Sequence, residues 1–280
     1  MEHKKSYSNI ICNFGCDERP DPTVFERHCH PYYELLYVKR GKGKYVVESA
    51  EYPLVANSLI LIRPYEFHYV CPSKDAAYER FLLQFPEKTL FNDTLRSFSF
   101  LQTDGKTGKG AYFRFDNENK MILETLEKMS NISELFEGRR HRTEKEETMR
   151  LALLSQVLLY LSLEEHESKE SDDDLLSSII EYINYHLDGD INLDKISQKF
   201  FISKYYLCRA FKERTGVSLI TYLNTKRTAM AEELIKRGEP PTSVAYQVGF
   251  KTYTSFYRAF CKYMGHPPMR SRGETEFVTQ

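Results

Sequence analysis

The sequence has no C-x-x-C pair, no run approaching the roughly 18 apolar residues of a membrane span, and no leader passing from charge through an apolar stretch to small residues. These absences lead to the expectation of a soluble, cytoplasmic protein with no membrane partner. The six cysteines (Cys12, Cys16, Cys29, Cys71, Cys208, Cys261) are scattered, and Cys208 and Cys261, on C-terminal helical stretches, are expected to be free and buried. Neither a Ser-His-Asp spacing nor a phosphate-cradling glycine loop is present in the sequence. Charge of one sign is lacking too: the formal net charge is −1.

The near-neutral total hides a division. Residues 175–280 hold 15 Lys and Arg against 10 Asp and Glu, leaving +5, whereas residues 1–174 hold 24 against 30, leaving −6. A basic C-terminal part beside an acidic N-terminal part suits a phosphate-facing module joined to something else. With 280 residues, 41% of them hydrophobic, the chain has room for two packed domains or one large one.

Residues 1–23, with Pro20 and Pro22, read as a loose leading segment. From about 25 to 85, short β-rich runs such as YYELLYVKR and NSLILIRP alternate with Gly41, Gly43, Asn57, Pro64 and Pro72, which predicts antiparallel strands closed into a small barrel or sandwich. Residues 86–115, carrying Gly105, Gly108 and Gly110, read as a strand-poor loop. Helical periodicity then predicts helices over about 119–136 and 144–163; the second is apolar over so wide a face that it is either a core helix, a contact with the same helix of a second subunit, or both. EEHESKESDDD (164–174) reads as an interdomain linker or a solvated helix end.

Beyond Leu175 everything is helix and tight turn. Asn192 offers an N-cap to Leu193–Phe200, and Ser203 caps a helix running to Thr215 with Gly216 as its stop. A connecting helix, 218–237, leads to a second short helix from Pro241, a turn at Gly249-Phe250, and a further helix to Gly265. The second half repeats the first: Arg209-Ala210-Phe211 and Gly216 recur 49 residues later as Arg258-Ala259-Phe260 and Gly265. Ile196 matches Val244 at an offset of 48, so the second unit has one extra turn residue. Each unit is a helix-turn-helix, whose second helix can lie in a DNA major groove. A spacer of about 20 residues spans roughly 30 Å at about 1.5 Å per residue, close to the roughly 34–36 Å between successive major-groove faces.

Residues 175–273 resemble the paired helix-turn-helix domain of the AraC/XylS transcription regulators, on the pattern Val244-Ala245, Val248-Gly249-Phe250, Phe256, Arg258, Phe260, Gly265, Pro268 and Arg272. Ser271, Ser197 and Phe201 depart from that pattern, where the family usually has an aromatic, an alanine and a small residue. The resemblance implies sequence-specific binding of double-stranded DNA. With Ile202, Leu207, Ala210 and Phe211 expected to be buried, the first unit leaves Ser203, Lys204, Tyr205, Tyr206, Arg209 and Lys212 for bases or phosphates. The second leaves Lys251, Thr252, Tyr253, Thr254, Ser255, Tyr257, Arg258 and Lys262. Arg forks onto guanine edges, while Ser, Thr and Lys more often hold phosphates; a salt bridge within each motif is the competing role for Arg209 and Arg258.

In the N-terminal part, His28-Cys29-His30-Pro31-Tyr32-Tyr33-Glu34 followed by Gly41 has the H-x-H-x3-E-x6-G spacing of a first cupin motif, and Pro64 to His68 resembles part of the second. Imidazole and carboxylate suit Zn, Fe or Mn, so His28, His30, Glu34 and His68 leave a metal-dependent cupin enzyme or metal sensor as the alternative. The resemblance implies instead a metal-free effector site formed by His28, His30, Tyr32, Glu34, Tyr45 and His68, with a sugar or other polar metabolite as ligand, and hence neither an enzyme nor a cofactor. The expected architecture is α+β: a cupin-like β-barrel with appended helices for effector binding and dimerisation (1–165), a linker (166–174), and an all-α DNA-binding domain (175–280) with units at about 193–215 and 241–265. A homodimer acting as an activator in contact with RNA polymerase is the expected working form.

Overall fold

A computed structural model of the chain describes residues 10–25, 27–90, 98–101, 110–115, 117, 119–135, 142–166 and 175–269. Gly105, Gly108, Ser271, Arg272 and the linker beyond His166 lie outside the described residues. Eight strands form two antiparallel sheets: β1 (Ile11–Asp17), β2 (Tyr32–Arg40), β3 (Lys42–Val47), β4 (Ala50–Val55), β5 (Ser58–Ile62), β6 (His68–Pro72), β7 (Tyr78–Pro86) and β8 (Ala111–Arg114). The larger sheet has the order β1-β7-β2-β5-β8 and the smaller β4-β3-β6.

Strand alternation divides the larger sheet into two faces. Tyr33, Leu35 and Tyr37 of β2 join Leu59, Leu61, Leu83 and Phe85 in a core covered by helices, whereas Leu36 and Val38 turn inward with Ile60, Tyr45, Tyr52 and Tyr78 to fill the space between the sheets. Glu34 shares the inward parity and sits opposite Gln84 across the β2–β7 pairing.

Two strands fall where none was expected. The loose leading segment contains β1, and the strand-poor region contains β8, which pairs with β5. ICNFGCD carries Asn, Gly and Asp, residues with little intrinsic strand preference; it is a strand because it pairs along the edge of β7 and buries Cys12. The covering helices are α1 (Lys120–Ser130), capped by Asn119, whose side chain accepts from Ile122 N, α2 (Ile132–Leu135) and α3 (Arg142–Leu161). Ile122, Leu126 and Met129 of α1 pack with Leu154, Val157, Leu158 and Leu161 of α3 against the larger sheet, so α3 is a core helix.

The C-terminal part holds α4 (Leu175–Tyr185), α5 (Leu193–Lys199), α6 (Lys204–Thr215), α7 (Leu219–Lys236), α8 (Pro241–Gln247) and α9 (Tyr253–Met264). The repeat is preserved in detail. The short helices α5 and α8 are each 7 residues long and the second helices α6 and α9 each 12. Ser203 and Thr252 cap them by accepting from the amides of Tyr206 and Ser255, and Gly216 and Gly265 end them at φ 74° and 75°. Of the two cysteines expected to be buried, Cys208 is exposed and Cys261 half-buried, because both fall outside the apolar stripes of α6 and α9.

The extra turn residue of the second unit has a conformational counterpart. Gly249 (φ 90°) and Phe201 (φ 54°) occupy equivalent left-handed positions. At Gly249 a Cβ would lie 2.8 Å from the Leu187 carbonyl oxygen and within 2.9 Å of the Arg227 guanidinium, so only glycine fits. Phe201 escapes that crowding because it is 96% exposed, leaving only the left-handed strain, about 1–2 kcal/mol for an L-residue. Replacing Phe201 by Gly is therefore expected to stabilise the protein by about 1 kcal/mol, and Gly249→Ala to destabilise it by more than that; chemical denaturation of the two variants checks both signs.

Candidate effector site and nucleic-acid interface

The barrel end of β2 gathers the predicted N-terminal residues. His28 lies just before β2 and forms an isolated bridge with His68, each donating its amide to the other's carbonyl oxygen (3.1 and 2.9 Å). The His28, His30 and His68 rings lie 4.4–5.6 Å apart by centroid, and their nearest nitrogens fall within 4.8 Å of one another. His30 Nε2 is 2.9 Å from Glu34 Oε2, which also accepts from Gln84 Nε2 at 2.8 Å. His68 Nδ1 faces the Glu66 carbonyl oxygen at 2.8 Å, which turns Nε2 toward Glu34 Oε1, 3.9 Å away; that Nε2 has no hydrogen-bond partner among the described residues.

Burial, together with the neighbouring His28, lowers His68 to about 3, so its approach to Glu34 is not an ion pair. Burial would raise the Glu34 carboxyl, but the hydrogen bond from His30 and the surrounding imidazoles hold it well below the usual carboxylate range. His30 Nδ1 is in addition 3.1 Å from the Tyr32 carbonyl oxygen. Both ring nitrogens of His30 are thus within reach of an oxygen, beside the unpartnered Nε2 of His68. Such a donor set suits a proton, a hydroxyl-bearing ligand or a divalent cation, and its exposed His28 side opens to solvent. Tyr32 is half-buried near this mouth, while Tyr45 is buried among the interior tyrosines beneath it.

In the C-terminal part, the predicted DNA-reading residues fall on one exposed side of α6 and α9, except that Tyr253 is half-buried against Phe256. Ser203 and Thr252 spend their hydroxyls as helix caps. Leu207 and Phe211 are buried as expected, but Ala210, at the edge of the α6 stripe, and Ile202, in the turn before α6, only partly. Several reading-face cations have acidic partners: Lys204 with Asp194, Arg209 Nε with Glu213 at 2.9 Å, and Lys251 with Asp190 at 3.0 Å. Arg258 has no ion-pair partner among the described residues. Exposed pairs of this kind are worth at most about 1 kcal/mol, little against a phosphate. A groove of about 520 Å³ flanks α6, lined by Leu176, Tyr205, Arg209 and Glu213 among others.

The sequence reading missed the residues that join the halves. Glu48, in the β3–β4 turn, is buried, accepting from Lys226 Nζ on Oε1, from the Tyr222 hydroxyl on Oε2, and from the Phe67 amide at 2.8 Å. Lys226, also buried, donates to Asn184 Oδ1 at 2.6 Å. Cys29 and Phe67 share a core with Ile180, Leu207, Phe211 and Tyr222, so the barrel and the first helix-turn-helix unit are packed together. Arg27 stacks over Tyr69 at 4.1 Å and lies against Gly216, where any Cβ would overlap its guanidinium. One signal was available: Tyr222, Lys226, Met230 and Glu233 recur at i, i+4, i+8 and i+11, a stripe that a solvent-spanning helix does not need.

Comparison with known proteins agrees with both halves. The profile described as "AraC-like ligand binding domain" matches residues 14–159, more than half of the chain, and a "Helix-turn-helix domain" profile matches 196–274. The HTH-type transcriptional activator RhaS of Escherichia coli is 24% identical over 238 residues, covering 84% of this chain and 83% of that protein. The crystal structure of ToxT from Vibrio cholerae is 16% identical over 93% of this chain and 96% of its own, with a TM-score of 0.37. The C-terminal domain of AraT from Geobacillus stearothermophilus is 29% identical over 39% of this chain and 95% of its own, with a TM-score of 0.35. RhaS is a transcriptional activator rather than an enzyme, and no described helix is long and apolar enough to cross a membrane. The chain belongs to the AraC/XylS family: it is a DNA-binding transcriptional regulator with a cupin-like ligand-binding domain.

Proposed function

We propose that α6 and α9 enter neighbouring major grooves, with Arg209 and Arg258 reading bases and Lys204, Lys212, Lys251 and Lys262 holding phosphates. The observation that carries this reading is the equivalence of the two units, alike in helix length, N-cap and left-handed glycine stop, with their polar faces exposed. On a duplex selected by the wild-type protein from a random pool, Arg209→Ala is expected to cost about 1–3 kcal/mol, and Lys204→Ala to lower the salt slope of binding by about 1. Unchanged affinity in the double variant sinks the assignment.

The effector is proposed to be a sugar or other polar metabolite, seated at His28, His30, Tyr32, Glu34 and His68 with Tyr45 beneath. Support comes from the carboxylate and imidazoles converging at an open mouth above an interior filled by tyrosines. A second reading, a divalent metal held by His28, His30, His68 and Glu34, is favoured by the three imidazoles whose nitrogens lie within 4.8 Å of one another, with His68 Nε2 unpartnered among the described residues. A thermal-shift screen of the full chain against sugars, polyols and zinc separates the two, since a ligand at 100 times its Kd stabilises by about 2.7 kcal/mol. A sugar shift abolished by His68→Gln supports the first reading and a chelator-reversible zinc shift the second. Shifts that survive His68→Gln and Glu34→Gln sink both.

The working form is proposed to be a homodimer in the cytoplasm, in contact with RNA polymerase when it activates. Although α3 is a core helix, Met149, Ala152, Gln156 and Leu159 remain exposed along it at alternating spacings of three and four, the seam of a paired helix. Leu159→Lys is expected to shift the protein to monomer in sedimentation velocity; an unaltered dimer places the contact elsewhere.

A further inference from the structure

The effector site and the DNA-binding half are tied to adjacent peptides, His68 opening β6 and Phe67 just before it. His68 exchanges both backbone hydrogen bonds with His28, while its neighbour Phe67 exchanges two with Glu48: the Glu48 amide donates to the Phe67 carbonyl oxygen (2.7 Å) and the Phe67 amide to Glu48 Oε1 (2.8 Å). The same Glu48 carboxylate takes the Lys226 ammonium and the Tyr222 hydroxyl of α7, and the Phe67 ring lies 5.4 Å from the Tyr222 ring. Glu48 itself is held at φ 53°, a left-handed conformation that a non-glycine residue keeps only when its surroundings enforce it. One residue step therefore separates the histidine that faces the effector from the residue that grips the output helix.

The grip is unequal between the two helix-turn-helix units. Barrel residues Cys29 and Phe67 enter the core of the first unit, and Arg27 lies on the glycine that ends α6. The second unit has a core of its own, built from Ile235, Val244, Phe256 and Phe260 with no barrel residue in it. It is joined to the rest through the Lys251–Asp190 pair and through α7, where Arg227 donates to the carbonyl oxygens of Leu187 and Gly189, both at 2.7 Å, and lies over Phe250.

We propose that Glu48, Lys226, Tyr222 and Asn184 form a buried latch that holds α7 against the barrel, and that the effector site sets DNA binding by drawing on His68 and so opening or tightening this latch. Only the last step rests on the effector reading; the latch stands without it. A buried ion pair suits such a role because loss of one partner leaves an uncompensated charge, whereas replacement of both by apolar groups restores packing. The latch is thus a two-position element, closed or open, rather than a graded contact.

Hydrogen exchange of the full-length protein, with no effector or DNA added, tests the latch. Lys226→Met is expected to speed exchange at least ten-fold in residues 65–69 and 219–228 while leaving the sheet interior (58–62) and the second unit (244–260) at wild-type rates. The double variant Glu48→Leu with Lys226→Met should recover most of that protection. Unchanged exchange in 219–228, or acceleration spread equally over the sheet interior, overturns the latch. In a second arm, whichever ligand shifts the melting of the wild type is added. A change confined to 65–69 and 219–228 supports the coupling step. A bound ligand that leaves both segments unaltered overturns that step alone, and a protein that binds none of the probes counts against the effector reading, not the latch.

Discussion

The buried ion pair between Glu48 and Lys226 is the contact on which the arrangement of the two halves depends. Desolvating two opposite charges is expensive, and proximity alone does not offset the cost; the remaining lone pairs and protons need partners as well. Here they have them: the Phe67 amide and Tyr222 hydroxyl complete the carboxylate, and Asn184 Oδ1 takes a further proton of the ammonium. A pair held by this many partners contributes little net stability compared with an apolar packing, but it accepts only one registry. The barrel and α7 therefore meet in one position, with Tyr222 against Phe67, and do not slide along an apolar seam.

Around that fixed contact the repeated units differ in what surrounds them more than in themselves. Ser203 and Thr252, Gly216 and Gly265 are interchangeable by geometry, yet Gly216 lies under Arg27 whereas a Cβ at Gly265 would meet nothing within 4 Å. The same division separates Phe201 from Gly249. Where the turn is open to solvent a phenylalanine can occupy a left-handed position, and where it closes on Leu187 and Arg227 it cannot. Duplication preserved the local rules of capping and turning, and docking then imposed different tolerances on equivalent positions.

Much of this was legible in the residues. Cap, stop and apolar spacing encode a helix-turn-helix locally, so Asn192, Ser203, Gly216 and the 49-residue offset sufficed to place both units. The spacing from His28 to Glu34 likewise encodes a turn into a strand, and it brought the imidazoles and the carboxylate together. What escaped was non-local. β1 and β8 are strands because β7 and β5 offer them edges, and Cys208 is exposed because the α6 stripe passes beside it. Glu48 and Lys226 look like ordinary surface charges, since their burial follows from a meeting of segments 178 residues apart that no local pattern announces.

That non-locality bears on how a regulator of this build transmits a signal. A ligand shifts an equilibrium only by the difference in its affinity for two states, so the site must touch something that differs between them. The interior beneath the histidines, packed with Tyr45, Tyr52 and Tyr78, cannot easily change shape, because close-packed cores resist gradual deformation. The peptides at His28 and His68 are differently placed: they lie at the rim, joined by two hydrogen bonds in an isolated bridge. Beyond them stands a polar contact, which breaks or forms over a short distance. The proposed path from the histidines therefore runs outward through Phe67 and Glu48 to α7, which packs against both α6 and α9.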